Sequence, residues 1–253
     1  MESVDRVFAR DLAAARHTVD SGGGSYVVTP GGAWCRGLFI VGAVTECRGS
    51  SDLVQARIAD PTGTFRVTAN WQSPDAVETL GCIEPPAFVA VTGRAVLVGS
   101  GRGAHATVEA EALCAVSRTV RDLWVLEAAG ATLDRLEALR AAIGGGGDER
   151  AATALRLYGT TEEEIREMAG TVRTALASVR PDLIVGEIVP VAGRDLLLSA
   201  LEKGGGMRGV GVEDAVAAGV RSGLSAREAR RALEELLAAG ECYQPASGMI
   251  KLI

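Results

Sequence analysis

Between residues 34 and 117 apolar side chains recur at every second position, the spacing of strands with one face buried. Val54, Ala56 and Ile58 alternate with Gln55 and Arg57, and Phe65, Val67 and Ala69 alternate with Arg66, Thr68 and Asn70. Asp60-Pro-Thr-Gly63 separates the two runs, and its Pro and Gly set the backbone angles of a tight turn. The pattern predicts a β-hairpin. Upstream, residues 38–44 are apolar on both faces except at Gly42, as in a strand that bends while shared between two sides of a small barrel. Downstream the pattern predicts a short helix over 75–80, a fourth strand over 87–98, a glycine-rich loop over 99–103 and a fifth strand over 105–117.

Three strands, a short helix and two strands follow one another in a five-stranded OB barrel, whose hairpin face and inter-strand loops commonly hold single-stranded nucleic acid. The outward set on that hairpin, Gln55, Arg57, Arg66, Thr68 and Asn70, makes a polar, cationic surface. Arg94, Arg102 and Arg48 extend it from neighbouring elements. Trp71 follows the third strand. Strict alternation places it in the core with Phe65, whereas a bulge or the strand's end turns it outward to stack on a base, and the pattern leaves both open.

Outside this stretch the period becomes helical. Residues 4–17 carry Val4, Val7, Phe8 and Leu12 at helical spacing and predict a short amphipathic helix, broken by the glycines of 21–25. Residues 26–30 read as extended. A long helix is expected over 119–143, with Val120, Leu123, Trp124, Leu133, Leu136 and Leu139 as its apolar face. The four glycines of 144–147 read as a flexible linker. Two helices follow over 148–179, where Thr160 or Thr161 caps the second. Residues 186–253 have the winged-helix pattern: helices over 194–203, 212–222 and 225–239, the last with a Ser225/Glu228 capping box, then a hairpin of 241–244 with 249–253. The expected fold class is multidomain α+β: an N-terminal helix and arm over 1–33, an OB-fold domain over 34–118, a helical connector over 119–185 and a winged-helix domain over 186–253.

Charge and chemistry narrow the function. The 253 residues hold 26 basic and 32 acidic side chains, a net charge of −6, so the chain is not a polybasic nucleic-acid arm. Only Lys203 and Lys251 are lysines, leaving Arg as the cation for stacking or bidentate phosphate contact. Five cysteines without a Cys-x-x-Cys pair predict neither a disulfide framework nor a zinc site. His17 and His105 lie in different elements with no nucleophile or carboxylate spaced for catalysis, so neither an enzyme nor a cofactor is expected. Residues 204–209 fit Gly-x-Gly-x-x-Gly but follow a helix, which removes the dinucleotide reading. No apolar run approaches the ~20 residues of a membrane span, and the N-terminus lacks a basic, apolar leader. A cytoplasmic, nucleoid-associated protein without a membrane partner is expected.

Six segments carry a resemblance: Arg6-Val-Phe-Ala-Arg10, Tyr26-Val-Val-Thr-Pro30, Gly37-Leu-Phe-Ile-Val-Gly42, Asp60-Pro-Thr-Gly-Thr-Phe65, Pro86-Ala-Phe-Val-Ala-Val91 and Arg121-Asp-Leu-Trp124. Together they resemble the archaeal replication protein A-associated family, similar in layout to the middle subunit of replication protein A, an OB fold followed by a winged helix. The resemblance implies an accessory subunit that binds single-stranded DNA in replication and repair. In that subunit a Trp after the third strand stacks on a base, and Trp71 falls at the matching place; a second aromatic near the end of the fourth strand is replaced here by Leu97 and Val98. It also implies that the helix after the barrel, through Leu123, Trp124, Leu133, Leu136 and Leu139, joins other replication protein A subunits, and that the winged helix recruits replication or repair proteins. Two alternatives stand beside it: a scaffold whose barrel binds protein, and a winged-helix transcription regulator.

Overall fold

A computed structural model describes residues 4–50, 52–181, 192–204 and 209–252, except for the side chain of Arg102. In chain order the elements are β1 (Val4–Asp5), α1 (Ala9–Ala13), β2 (His17–Ser21), β3 (Gly24–Val28), β4 (Trp34–Cys35), β5 (Gly37–Ser50), β6 (Leu53–Ala59), β7 (Thr64–Asn70), α2 (Pro74–Gly81), β8 (Ala87–Val98) and β9 (His105–Ala115). There follow α3 (Arg118–Ile143), α4 (Glu149–Tyr158), α5 (Glu162–Leu176), α6 (Gly193–Gly204), β10 (Val210–Gly211), α7 (Val212–Arg221), α8 (Ala226–Ala238), β11 (Cys242–Tyr243) and β12 (Met249–Leu252).

Strands β5 to β9 close on themselves. The order runs β5-β6-β7-β9-β8, and β8 returns to pair with β5 over Gly37↔Arg94 to Val44↔Ala87. The β7–β9 contact is parallel, at Val67↔Val108 and Thr68↔Glu109; the other barrel pairs are antiparallel. That order, with a helix between the third and fourth strands, is the OB topology. Gly42 sits where β5 bends against β6: a Cβ there would come within 2.5 Å of the Ala59 carbonyl oxygen, so only glycine permits the approach.

The inward residues of the hairpin, Val54, Ala56, Ile58, Phe65, Val67 and Ala69, are all buried. Trp124 of α3 plugs the same core. Its indole N–H donates to the Phe39 carbonyl at 2.8 Å, and its ring meets Phe8 and Phe65 edge-on, with centroids 5.7 and 6.5 Å away.

The N-terminal segment departs from the predicted helix over 4–17. Val4 and Asp5 instead pair in parallel with Gly37 and Leu38, and α1 is confined to five residues. The apolar spacing is real, since Val7, Phe8 and Leu12 are buried, but a hydrogen bond decides where the helix begins. Asp60 in the β6–β7 turn accepts the Ala9 N–H at 2.7 Å, satisfying an otherwise open donor of α1's first turn. Residues 17–28, read as helix end, breaker and extended arm, form a β2–β3 hairpin that β4 widens into a separate three-stranded sheet.

The glycines of 144–147 form a reversing turn in place of the expected linker. Gly146 donates to the Ala141 carbonyl at 2.9 Å, and Gly147 adopts φ +84° with the Ala138 oxygen 2.9 Å from where a Cβ would stand. The chain thereby folds α4 and α5 back onto α3. Thr161 caps α5 in a full capping box with Glu164, so of the two predicted threonines it is the second that caps. Leu136 and Leu139 of α3 pack with Val28, Trp34, Ala151, Ala154 and Ile165 in a small core between this helical layer and the β2–β4 sheet.

Helices α6, α7 and α8 carry a three-stranded antiparallel sheet, β10-β12-β11, at the C-terminal end. Strand β10 was absent from the sequence reading. The boundary expected at 185–186 falls outside the described residues, as does most of the 204–209 loop. One continuous hydrophobic cluster joins the barrel's core to Leu197, Val216, Val220, Ala229 and Leu236, so this unit packs directly against the barrel. Among the described residues no helix is long and apolar enough to cross a membrane.

Candidate nucleic-acid interface

The outward residues of β6 and β7 lie side by side. Register pairs Gln55 with Thr68 and Arg57 with Arg66, while Leu53 faces Asn70. Gln55, Arg57 and Arg66 are exposed, and Thr68 and Asn70 half-buried. Across the parallel β7–β9 contact, Thr68 stands beside Glu109, which in turn stands beside Arg94 of β8. A pocket of about 200 Å³ sits at this crossing, lined by Thr68, Asn70, Gln72, Arg94, Glu109 and Glu111.

Trp71 is turned out: 74% of its surface is exposed. The strand ends at Asn70, whose side-chain oxygen accepts the Gln72 N–H at 2.9 Å while its carbonyl accepts the Ser73 N–H at 2.8 Å. That Asx turn takes Trp71 out of the pleat, so the alternation that would have sent it inward no longer applies. Leu53, 45% exposed on the same face, was missed by the sequence reading, although extending the period back from Gln55 finds it.

The cations are less free than the sequence implied. Arg57 and Arg48 each reach Glu46 at 3.5 Å, and Arg94 lies 3.7 Å from Glu109 and 3.3 Å from Glu111. Such exposed pairs are worth little, roughly 0 to 1 kcal/mol, and open readily to another anion. Arg66 has no ion pair among the described residues and stands directly opposite Arg57. Like charges so placed repel, which makes this spot the most receptive to an anion on the face. The side chain of Arg102 lies outside the described set; its backbone forms a short helical turn between β8 and β9.

The proposed assembly face of α3 divides. Trp124, Leu136 and Leu139 are buried in the chain's own two cores and are corrected from partner contacts to core residues. Leu123 is half-buried and Leu133 40% exposed, and with Leu126, 42% exposed, they form a stripe through Gly130, around which there is open space. Leu126 lies outside the apolar face predicted from the sequence, although it follows Leu123 by one helical spacing of three.

The predicted third helix of the C-terminal region is committed elsewhere. The Ala226 and Arg227 N–H groups of α8 donate to Thr79 Oγ1 and Asp75 Oδ1 of α2 at 2.9 and 2.8 Å. Arg230 bonds Glu78 and Glu213, and Arg231 pairs with Glu235. Among the described residues no group of three or more His, Cys, Asp or Glu side chains converges as a metal site.

The fold and this face together define an OB-type barrel with an open polar flank. No protein-family model matches the chain, and no curated protein matches it. Solved structures similar to it include a replication protein A heterotrimer bound to single-stranded DNA, at 18% identity over 53% of this chain and 98% of that one, with a TM-score of 0.40. The Stn1-Ten1 complex of S. pombe is similar at 14% identity over 50% of this chain and 88% of that one, TM-score 0.40. Asparaginyl-tRNA synthetase from Pyrococcus horikoshii is similar at 13% identity over 46% and 24%, TM-score 0.32. The OB assignment itself rests on strand order and closure within this chain.

Proposed function

We propose that this chain is a non-enzymatic, single-stranded DNA-binding accessory subunit of an archaeal replication protein A-type complex, acting in replication and repair. The observation that carries the reading is Trp71, a large aromatic held out at the end of β7 beside Asn70, with the exposed Arg66 on the same strand. Phosphates would displace Glu46 and Glu109 from their arginines and one base would stack on Trp71. Base stacking is worth ~1–3 kcal/mol. The Leu123, Leu126 and Leu133 stripe of α3 would join helices of sister subunits. The C-terminal three-helix and sheet unit is read as a winged helix that recruits replication or repair proteins. Its α8 is engaged by α2, which argues against a duplex-reading regulator.

Titration of a fluorescein-labelled oligo-dT with the full chain tests this by anisotropy. Saturable binding that weakens with salt supports it; no binding at low salt overturns it. A barrel that binds protein instead is the second reading, favoured by the three glutamates that offset the arginines of the face.

A further inference from the structure

Two backbone features gather charged side chains where β7, β9 and β8 meet. Gly93 of β8 lies so near β9 that a Cβ there would stand 2.2 Å from the Glu109 carbonyl oxygen, and any side chain would collide. On β9, Ala110 faces Gly93 and Ala112 faces Thr92, so Glu111 is the extra residue of a bulge and opposes nothing on β8. Arg94, next in sequence to Gly93, is thereby set between two carboxylates, Glu111 at 3.3 Å and Glu109 at 3.7 Å. Glu109 also stands beside Thr68 of β7.

The pocket of about 200 Å³ at this crossing adjoins the Trp71 platform, because the residues on either side of Trp71, Asn70 and Gln72, both line it. A phosphate that takes Arg94 releases Glu109, the more distant of its two partners, as a carboxylate without a cation. An ionised acceptor left unpaired is costly, so a ligand that brings its own donors is favoured. The pocket also holds a donor. Asn70 uses its side-chain oxygen on the Gln72 N–H at 2.9 Å, and its NH₂ makes no hydrogen bond among the described residues. Two carboxylate oxygens and one amide donor are therefore on offer beside an exposed aromatic ring.

Among the DNA bases only guanine matches that set. Its Watson–Crick edge carries two adjacent donors, N1–H and N2–H₂, which fit a carboxylate in parallel, with the O6 acceptor beside them. Thymine offers one N–H between two carbonyls. Adenine and cytosine each set one amino group beside a bare ring nitrogen, which the second carboxylate oxygen repels. Resting on the single-strand reading above, we propose that this pocket selects a guanine next to the Trp71 ring: N1–H and N2–H₂ donate to the Glu109 carboxylate and O6 accepts from the Asn70 amide.

The test is competition, read by anisotropy, between labelled oligo-dT on the full chain and unlabelled oligo-dT carrying one central dG, dA, dC or deoxyinosine. The dG strand should bind at least about fivefold more tightly than plain oligo-dT, the low end for one bidentate base contact. Deoxyinosine keeps N1–H but lacks the N2 amino group, and should lose most of that gain. Glu109→Gln is close in shape and lies at a partly exposed position. It should hold plain oligo-dT at least as tightly as the parent, since phosphate no longer competes with that carboxylate for Arg94, and should bind the dG and plain strands alike. Loss of the preference without loss of oligo-dT affinity separates the effect from damage to the fold. Equal affinity for the dG and plain strands, a preference for dA or dC, or a dG gain that survives deoxyinosine or Glu109→Gln would each overturn this proposal and leave the single-strand reading standing. No binding of any strand at low salt overturns both.

Discussion

Thr79 of α2 accepts the backbone N–H of Ala226 through its hydroxyl at 2.9 Å, with both residues fully buried. The first N–H groups of a helix have no partner within it, and here the barrel's own helix supplies one at the start of α8. Thr79→Val keeps the shape and removes the acceptor. An orphaned buried donor costs about 1–3 kcal/mol. Amides at the start of α8 should lose hydrogen-exchange protection by that amount while β5 to β9 keep theirs; equal loss throughout would show that the C-terminal unit and barrel unfold as one.

Trp124 and Trp71 should respond oppositely to truncation. Trp124→Ala empties the barrel's plug and its bond to Phe39, at a cost of about 3–5 kcal/mol in denaturant unfolding. Trp71→Ala should stay within about 0.5 kcal/mol of the parent, as surface substitutions do.

Asp122 gives the fold an acid limit. Burial alone would raise its carboxyl, but hydrogen bonds from Arg121 and the Arg180 N–H, with the nearby Arg118 charge, hold it below the ordinary carboxylate value. A depressed folded-state value contributes stability above the unfolded value of about 3.9 and loses it as pH falls through the folded one. Asp5, Asp11 and Asp60 act with the opposite sign, because burial raises them. Comparing Asp122→Asn with the parent isolates the term: the substituted chain should be less stable at pH 7, and the gap should narrow below pH ~4. A gap independent of pH would show that the clamp joining α3 to the end of α5 is not ionic.

Much of this was legible in the sequence. Period-two alternation fixed which hairpin residues face inward, and Asp60-Pro-Thr-Gly63 placed the turn. Trp71 stayed open because the Asx turn that frees it is a property of Asn70's side chain and the strand's end. The glutamates were invisible for another reason: Glu109 meets Arg94 only through a ladder joining distant segments. The N-terminal helix was overextended because Asp60, which sets where α1 begins, lies 51 residues away.

Arg66 and Arg94 should differ as phosphate contacts. Arg94 must leave two glutamates, whereas Arg66 has no ion pair to leave among the described residues. Arg66→Ala should therefore cost more oligo-dT affinity than Arg94→Ala and flatten the salt dependence by roughly 0.7 in log–log slope for one lost single-strand contact. Equal losses would place the phosphate path elsewhere.

The most direct measurement uses the protein's own fluorescence. Of its three tryptophans, Trp34 and Trp124 are buried and Trp71 is exposed. Adding oligo-dT should quench the emission in a saturable way, and Trp71→Ala should abolish the quenching and weaken binding about 5- to 150-fold, the equivalent of ~1–3 kcal/mol. Unchanged emission on saturation, or quenching that survives Trp71→Ala, would contradict the account.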